Sequence, residues 1–280
     1  MDEVRNTQAD RRPADHNGQP APLLATKGIS KSFGAVHALV DVDFEVFPAE
    51  VVALVGDNGA GKSTLIKAIA GVQPGDRGEY FFEGDQVAIH TAQDAVKLGI
   101  ATVYQDLALA DNLDVVENLF LGREELARGP GGAVRVLDEV AMERRTRELL
   151  GSLAVTTLRS VRTEVGALSG GQRQSVAIAR SLLGEPKLVI LDEPTAALGV
   201  SQTEQVLELI GRLRHRGLGV VLISHNLRDV FQVADRIVVL RLGRRAAVFD
   251  RRSVSQAEVV AAITGAEAAN GNGGGAEELS

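Results

Sequence analysis

The run Gly56-Asp57-Asn58-Gly59-Ala60-Gly61-Lys62-Ser63, followed by Thr64, constrains the fold more than any other stretch of the chain. It fits G-x-x-x-x-G-K-[ST] and lies between the apolar run VVALV and STLIKAIAGV, whose apolar residues return with helical period. A strand that passes through such a loop into a helix predicts an α/β fold with a P-loop NTPase core. The residue types suit a polyphosphate. Gly56, Gly59 and Gly61 keep side chains away from a closely wrapped anion. The loop N–H groups, from Asn58 and Ala60 through Thr64, form a nest at a helix start, where the dipole is positive. Lys62 brings a point charge to β- and γ-phosphates, and the Ser63 hydroxyl is placed to ligate Mg²⁺.

The surrounding pattern agrees with that core. LLATKGISKSF and VDVDFEV alternate as strands and predict an N-terminal antiparallel β subdomain, and GEYFFEGDQVAI reads as a hairpin turning at Gly84-Asp85. Thr91 suits the N-cap of the helix TAQDAVKLG, and IATVYQ is another strand. Residues 107–165 turn Arg/Glu-rich, are interrupted by RGPGGA, and read as an inserted helical subdomain. Helix SGGQRQSVAIARSLL, strand KLVILDE, helix QTEQVLELIGRLRHR, strand GVVLISH, helix NLRDVFQVA and strand RIVVLRL then alternate, as in a mostly parallel sheet covered by helices. One nucleotide-binding domain over 23–266 is therefore expected, between disordered tails at 1–22 and 267–280.

Two acids follow the apolar run LVIL. At the carboxyl end of a buried strand, Asp192 would hold Mg²⁺ and Glu193 would orient and polarise an attacking water. By itself the pattern also fits a surface acid pair. His225, ending a neighbouring strand, suits a γ-phosphate sensor; packing or surface exposure is the other reading. Ser169-Gly170-Gly171-Gln172 opens a helix and so offers a second anion-binding terminus. Ser169 and Gln172 equally fit a capping box.

Composition narrows the partners. With 37 acids against 30 Lys and Arg, and aromatics at 4%, neither a basic footprint nor a base-stacking surface for nucleic acid is expected. There is no cysteine for a disulfide or a thiolate metal site. The first residues hold no apolar signal-type segment and no run of about 18 apolar residues occurs, so a cytoplasmic protein that meets membranes through partners is expected.

With LSGGQ at 168–172, LDEP at 191–194 and ISH at 223–225 in this order after the P-loop, the sequence resembles the ABC transporter ATPase family over roughly residues 23–265. The resemblance implies ATP hydrolysis with Mg²⁺ in a head-to-tail dimer, each ATP lying between one copy's P-loop and the other's LSGGQ. It assigns Gln105 to a loop touching Mg²⁺ and the attacking water. It makes Phe33 an aromatic that stacks on adenine, although a core position on a strand is the alternative. Gly199 departs from the family's usual Asp, which bears on coupling between the two sites. GISKSFGAVHAL, GIATVYQDLALADNLDVVENLFLGRE and LDEPTAALGV resemble the monosaccharide importers. That implies permease subunits, an extracytoplasmic sugar-binding protein and a peripheral place on the cytoplasmic face of the membrane. A soluble or regulatory ABC ATPase is the alternative.

Overall fold

The computed structural model describes residues 21–128 and 135–266. The interruption RGPGGA falls almost wholly outside them, as does the expected C-terminal tail; of the N-terminal one only Ala21 and Pro22 are described, and Ala21 is buried.

The centre is a six-stranded sheet. Its strands are β3 (Val51–Val55), β6 (Ile100–Val103), β9 (Leu188–Asp192), β10 (Gly219–Ile223), β11 (Arg236–Arg241) and β12 (Arg244–Asp250), in the order β12-β11-β3-β10-β9-β6. All pair in parallel except β12, which runs antiparallel along one edge. The parallel strands are short runs of Val, Ile, Leu and Ala, and those of β3 and β10 are buried throughout. Alternation sends their side chains to opposite faces: Leu188 and Ile190 join one hydrophobic cluster, Val189 and Leu191 the other. Each such side chain contributes roughly 1.5–3 kcal/mol by leaving water.

One face is covered by α1 (Lys62–Ile69) and by a second, antiparallel sheet. That sheet comprises β1 (Leu24–Phe33), β2 (Val36–Val46), β4 (Arg77–Phe82) and β5 (Asp85–Val87), in the order β2-β1-β4-β5. The other face carries α5 (Gly170–Leu182) and α6 (Val200–His215). Beside β11 and β12, α7 (Leu227–Val233) and α8 (Gln256–Thr264) close a third cluster around Ile237 and Val259. The fold is thus a P-loop NTPase core with a mostly parallel sheet and an N-terminal antiparallel β portion.

Three details differ from the sequence reading. The β4–β5 turn sits at Glu83-Gly84, one residue early, because both residues take positive φ (53° and 91°), the primed geometry that suits a two-residue hairpin loop. The stretch 107–165 holds α3 (Val115–Phe120) and α4 (Glu139–Ser152), but also a two-stranded ribbon, β7 (Leu126–Arg128) with β8 (Arg135–Leu137). Strand β12 and helix α8 are additions that the sequence pattern does not predict. Elsewhere Thr91 does cap α2 (Ala92–Leu98), in a capping box with Asp94.

Candidate nucleotide site

The loop between β3 and α1 is held by its own chain. Gly56, Gly59 and Gly61 all have positive φ, at 152°, 78° and 103°. A Cβ on Gly56 would come within 2.2 Å of the Leu240 carbonyl oxygen, and one on Gly61 within 2.7 Å of the Ala38 carbonyl oxygen. At those two positions, glycine is required by the neighbouring β11 and β2 as well as by any wrapped anion. Only Gly59 faces open space. The turn Leu242-Gly243 clamps the loop from outside, with the Gly243 N–H donating to the Ala60 carbonyl at 3.0 Å. Gly61 caps α1 without any side-chain hydrogen bond, so the first N–H groups of the helix are left for a ligand. The Lys62 ammonium donates to the carbonyls of Gly56 (2.7 Å) and Asp57 (3.0 Å).

A cleft of about 550 Å³ joins this loop to an apolar rim. It is lined by Asn58–Thr64 and by Phe33, Val36, His37, Leu242 and Gly243. Phe33 is 45% exposed at the end of β1 and is therefore no core residue. The cleft is an anion cradle with an aromatic ring at its mouth, which suits a purine nucleotide better than a bare phosphate. Sequence reasoning missed the part played by Leu242, because nothing local says that the β11–β12 turn lands on the P-loop.

Asp192 ends β9, and its register partner on β10 is Ile223. Burial raises its carboxyl above the usual range; the neighbouring Glu193 adds to this, while Lys62 and Lys67 oppose it. Tyr104, just past β6, is also pushed up, by burial and then by the Asp192 charge. Glu193 takes φ 50°, an uncommon value for a non-glycine residue. Its N–H donates to the Ile223 carbonyl at 3.0 Å, and its Oε2 meets His225 Nδ1 at 2.8 Å. The Glu193 side chain is 16% exposed and that of His225 72%, so the histidine stands on the outer side of the pair. Gln105 lies two residues beyond β6, exposed, and among the described residues its side chain forms no hydrogen bond to Ser63, Asp192 or Glu193. Its chain neighbours Tyr104, Asp106 and Leu107 line a second cleft, of about 340 Å³, together with Ala108, Arg123 and Arg180.

The Ser169–Gln172 terminus is built but stands apart. The capping box is present: the Gln172 N–H donates to Ser169 Oγ at 3.4 Å and the Ser169 N–H to Gln172 Oε1 at 2.9 Å. Gln172 Nε2 also donates to the Thr157 carbonyl at 2.7 Å. A Cβ on Gly170 would lie 2.9 Å from Leu198 Cδ2, and one on Gly171 2.9 Å from Gln202 Cβ, so both glycines permit close packing against α6 and the loop before it. Ser169 and Gly170 are exposed, and none of the four residues lines the P-loop cleft. The fold thus brings Phe33, the P-loop, Asp192, Glu193 and His225 to one edge, and leaves the Ser169 terminus facing outward.

The chain resembles known proteins in sequence and in fold. The sequence model described as ABC transporter matches residues 39–196. The chain is 47% identical to the fructose import ATP-binding protein FrcA of Rhizobium meliloti, covering 88% of this chain and 95% of that one. It is 46% identical to the xylose/arabinose import ATP-binding protein XylG of Sulfolobus acidocaldarius, covering 79% and 86%. Its fold superposes on the dimeric structure of a bacterial ABC transporter cassette with a TM-score of 0.67 at 25% identity, over 82% of this chain and all of that one. With the P-loop cleft, the carboxylate pair and the LSGGQ helix on one scaffold, the chain belongs to the ABC transporter family, as a nucleotide-binding ATPase cassette.

Proposed function

We propose that this chain is the ATP-hydrolysing subunit of a membrane importer for a monosaccharide, and that it works as a head-to-tail pair. The observation that carries the pairing is the separation of its two anion-binding termini. The P-loop cleft contains no residue of 169–172, and Ser169 and Gly170 face solvent. A second copy would bring its own Ser169 terminus to this copy's P-loop, giving two equivalent ATP sites about one two-fold axis. The dimeric form of a similar cassette supports this.

In such a site the N–H groups of Gly59–Thr64 hold the phosphates. Lys62 exchanges its loop carbonyls for phosphate oxygens, and Phe33 stacks on adenine. The donor set suits Mg²⁺: Ser63 hydroxyl, Gln105 amide and Asp192 carboxylate are hard oxygen ligands, and the adjoining Asp192 and Glu193 carboxylates repel until a cation intervenes. When bound, that ion would neutralise charge on the β- and γ-phosphate oxygens. Glu193 accepts a hydrogen bond from the attacking water and orients it toward the γ-phosphorus. His225, from its exposed side of Glu193, donates to the γ-phosphate. Loss of that phosphate removes the anion shared by the two subunits, and the pair opens.

The cleft lined by Tyr104, Asp106 and Leu107, with Arg123 and Arg180 on its wall, supports a permease segment as its occupant. That segment would receive the motion of 105–123. The printed names of the fructose and xylose/arabinose relatives favour an importer over a soluble or regulatory ATPase. They also favour a sugar-binding protein as a further partner and the cytoplasmic face of the membrane as the location. Among the described residues no helix is long and apolar enough to cross a membrane.

Glu193→Gln tests the mechanism. ATP affinity is expected to stay within about twofold while turnover drops by roughly 10²–10⁴, and the protein should elute as a dimer with ATP. Elution only as a monomer would overturn the pairing. Uptake of radiolabelled fructose, xylose and ribose by cells carrying this variant as their sole copy checks the transport role.

A further inference from the structure

The loop that leaves the carboxyl end of β9 is tied at three points to β10 and to the segment that follows it. Two ties involve the Glu193 main chain and its carboxylate, with Ile223 and His225. The third involves neither: Thr195 Oγ1 donates to Asp229 Oδ2 at 2.7 Å. Asp229 sits in the first turn of α7 and is 4% exposed, so its carboxylate is shielded from water. A buried carboxylate held by a hydroxyl is a stiff link, because breaking it costs a buried polar group its hydrogen bond.

The link has something to restrain. Glu193 and Ala197 both take positive φ, 50° and 59°, within one short loop. Such a loop relaxes unless its surroundings fix it. Between those residues, Pro194 is buried and Thr195 is anchored to α7. That helix begins immediately after His225 and is capped by Asn226, whose N–H donates to the buried Ser224 hydroxyl at 3.0 Å. One short path of bonds thus sets the position of Glu193 relative to His225.

We propose that Thr195 and Asp229 are positioning residues for hydrolysis. Together they hold the Glu193 carboxylate and the His225 ring in register across two loops without touching ATP. This rests on the reading of Glu193 as the water-orienting group. The hydrogen bond, not the side-chain volume, is the working part. An error of about 1 Å in a reacting group costs on the order of 100-fold in rate, whereas phosphate binding at the P-loop is untouched by it.

The test uses the full-length chain and four variants: Thr195→Val, Thr195→Ser, Asp229→Ala and the double Thr195→Val/Asp229→Ala. Steady-state ATPase gives kcat and KM, ATP affinity is titrated directly, and thermal melting reports folding. Thr195→Val and Asp229→Ala are each expected to lower kcat by about 10- to 100-fold, with KM and ATP affinity within about twofold. Thr195→Ser, which keeps the hydroxyl, is expected to restore kcat to within about threefold. The double variant should be no slower than the worse single one, since both remove the same bond. Wild-type kcat in Thr195→Val, equal losses in Thr195→Ser and Thr195→Val, or multiplying losses in the double variant would each overturn the proposal. Glu193→Gln separates the two readings. If that variant hydrolyses ATP at the wild-type rate, the role of Glu193 fails. If it is inactive while Thr195→Val is fully active, only the positioning role fails.

Discussion

The P-loop and the Ser169 terminus are both helix starts rich in glycine, yet they are finished to different degrees. At the P-loop the chain supplies its own walls: β11 behind Gly56, β2 behind Gly61 and the Leu242-Gly243 turn over Ala60. At Ser169 the chain supplies only a floor, because Gly170 and Gly171 pack down on Leu198 and Gln202 while the outer side stays exposed. Nearness to a strand edge explains the contrast. The first helix emerges from the middle of the central sheet, with strands on either side, whereas α5 starts where the insert rejoins the core. On the proposed pairing, the walled terminus would hold its ligand alone and the floored one would be completed by a partner copy.

Substitutions at the two termini are expected to act differently. The largest loss of affinity is expected from Lys62→Ala, which removes the ammonium now shared between the Gly56 and Asp57 carbonyls. ATP affinity should weaken by at least about 30-fold, equivalent to roughly 2 kcal/mol, in direct titration. Wild-type affinity there would mean that the walled loop is not where phosphate binds. Ser169→Arg should do the reverse. ATP affinity of the protomer stays within about twofold, while hydrolysis falls by about 100-fold and ATP-dependent dimerisation is lost in sedimentation. A Ser169→Arg protein that hydrolyses normally would make the terminus a cap and nothing more. The smallest effect belongs to Gly199→Asp. Gly199 caps α6 at φ −71° and ψ 162° with no side-chain bond, and a Cβ there meets nothing within 4 Å. An aspartate can adopt that backbone and bond a helix N–H, so stability should rise by a few tenths of a kcal/mol, read as a higher melting temperature. The hydrolysis rate of the dimer should change as well. An unchanged rate would show that this position does not couple the two sites.

The parts of the site that are local in sequence are legible in the residues themselves. The P-loop announces itself because one short segment carries both the turn and the charge, and Ser169 with Gln172 carries its own capping box. The reasons for the glycines are less visible. A close phosphate accounts for Gly59, but Gly56 and Gly61 answer also to Leu240 and Ala38, partners that only folding brings near. Strand β12 is hard to read because it is an edge strand with mostly exposed side chains, so its alternation is weak. Helix α8 buries only Val259, too little for a helical stripe, although Ser255 and Glu258 form a capping box that could have marked its start. The Thr195–Asp229 bond joins residues on different elements, and neither residue type is unusual where it stands.

The packing of Gly170 and Gly171 onto Leu198 and Gln202 has a consequence for genetics. Those two side chains lie directly downstream of Glu193, so on the proposed pairing the surface one molecule would lend its twin is rooted in the loop that carries its own Glu193. In a mixed pair with one altered protomer, a lesion at Gln202 would silence the pocket on the unaltered partner and spare its own. Phenotypes at this spot should therefore be dominant, and each would be written in the neighbour's chemistry.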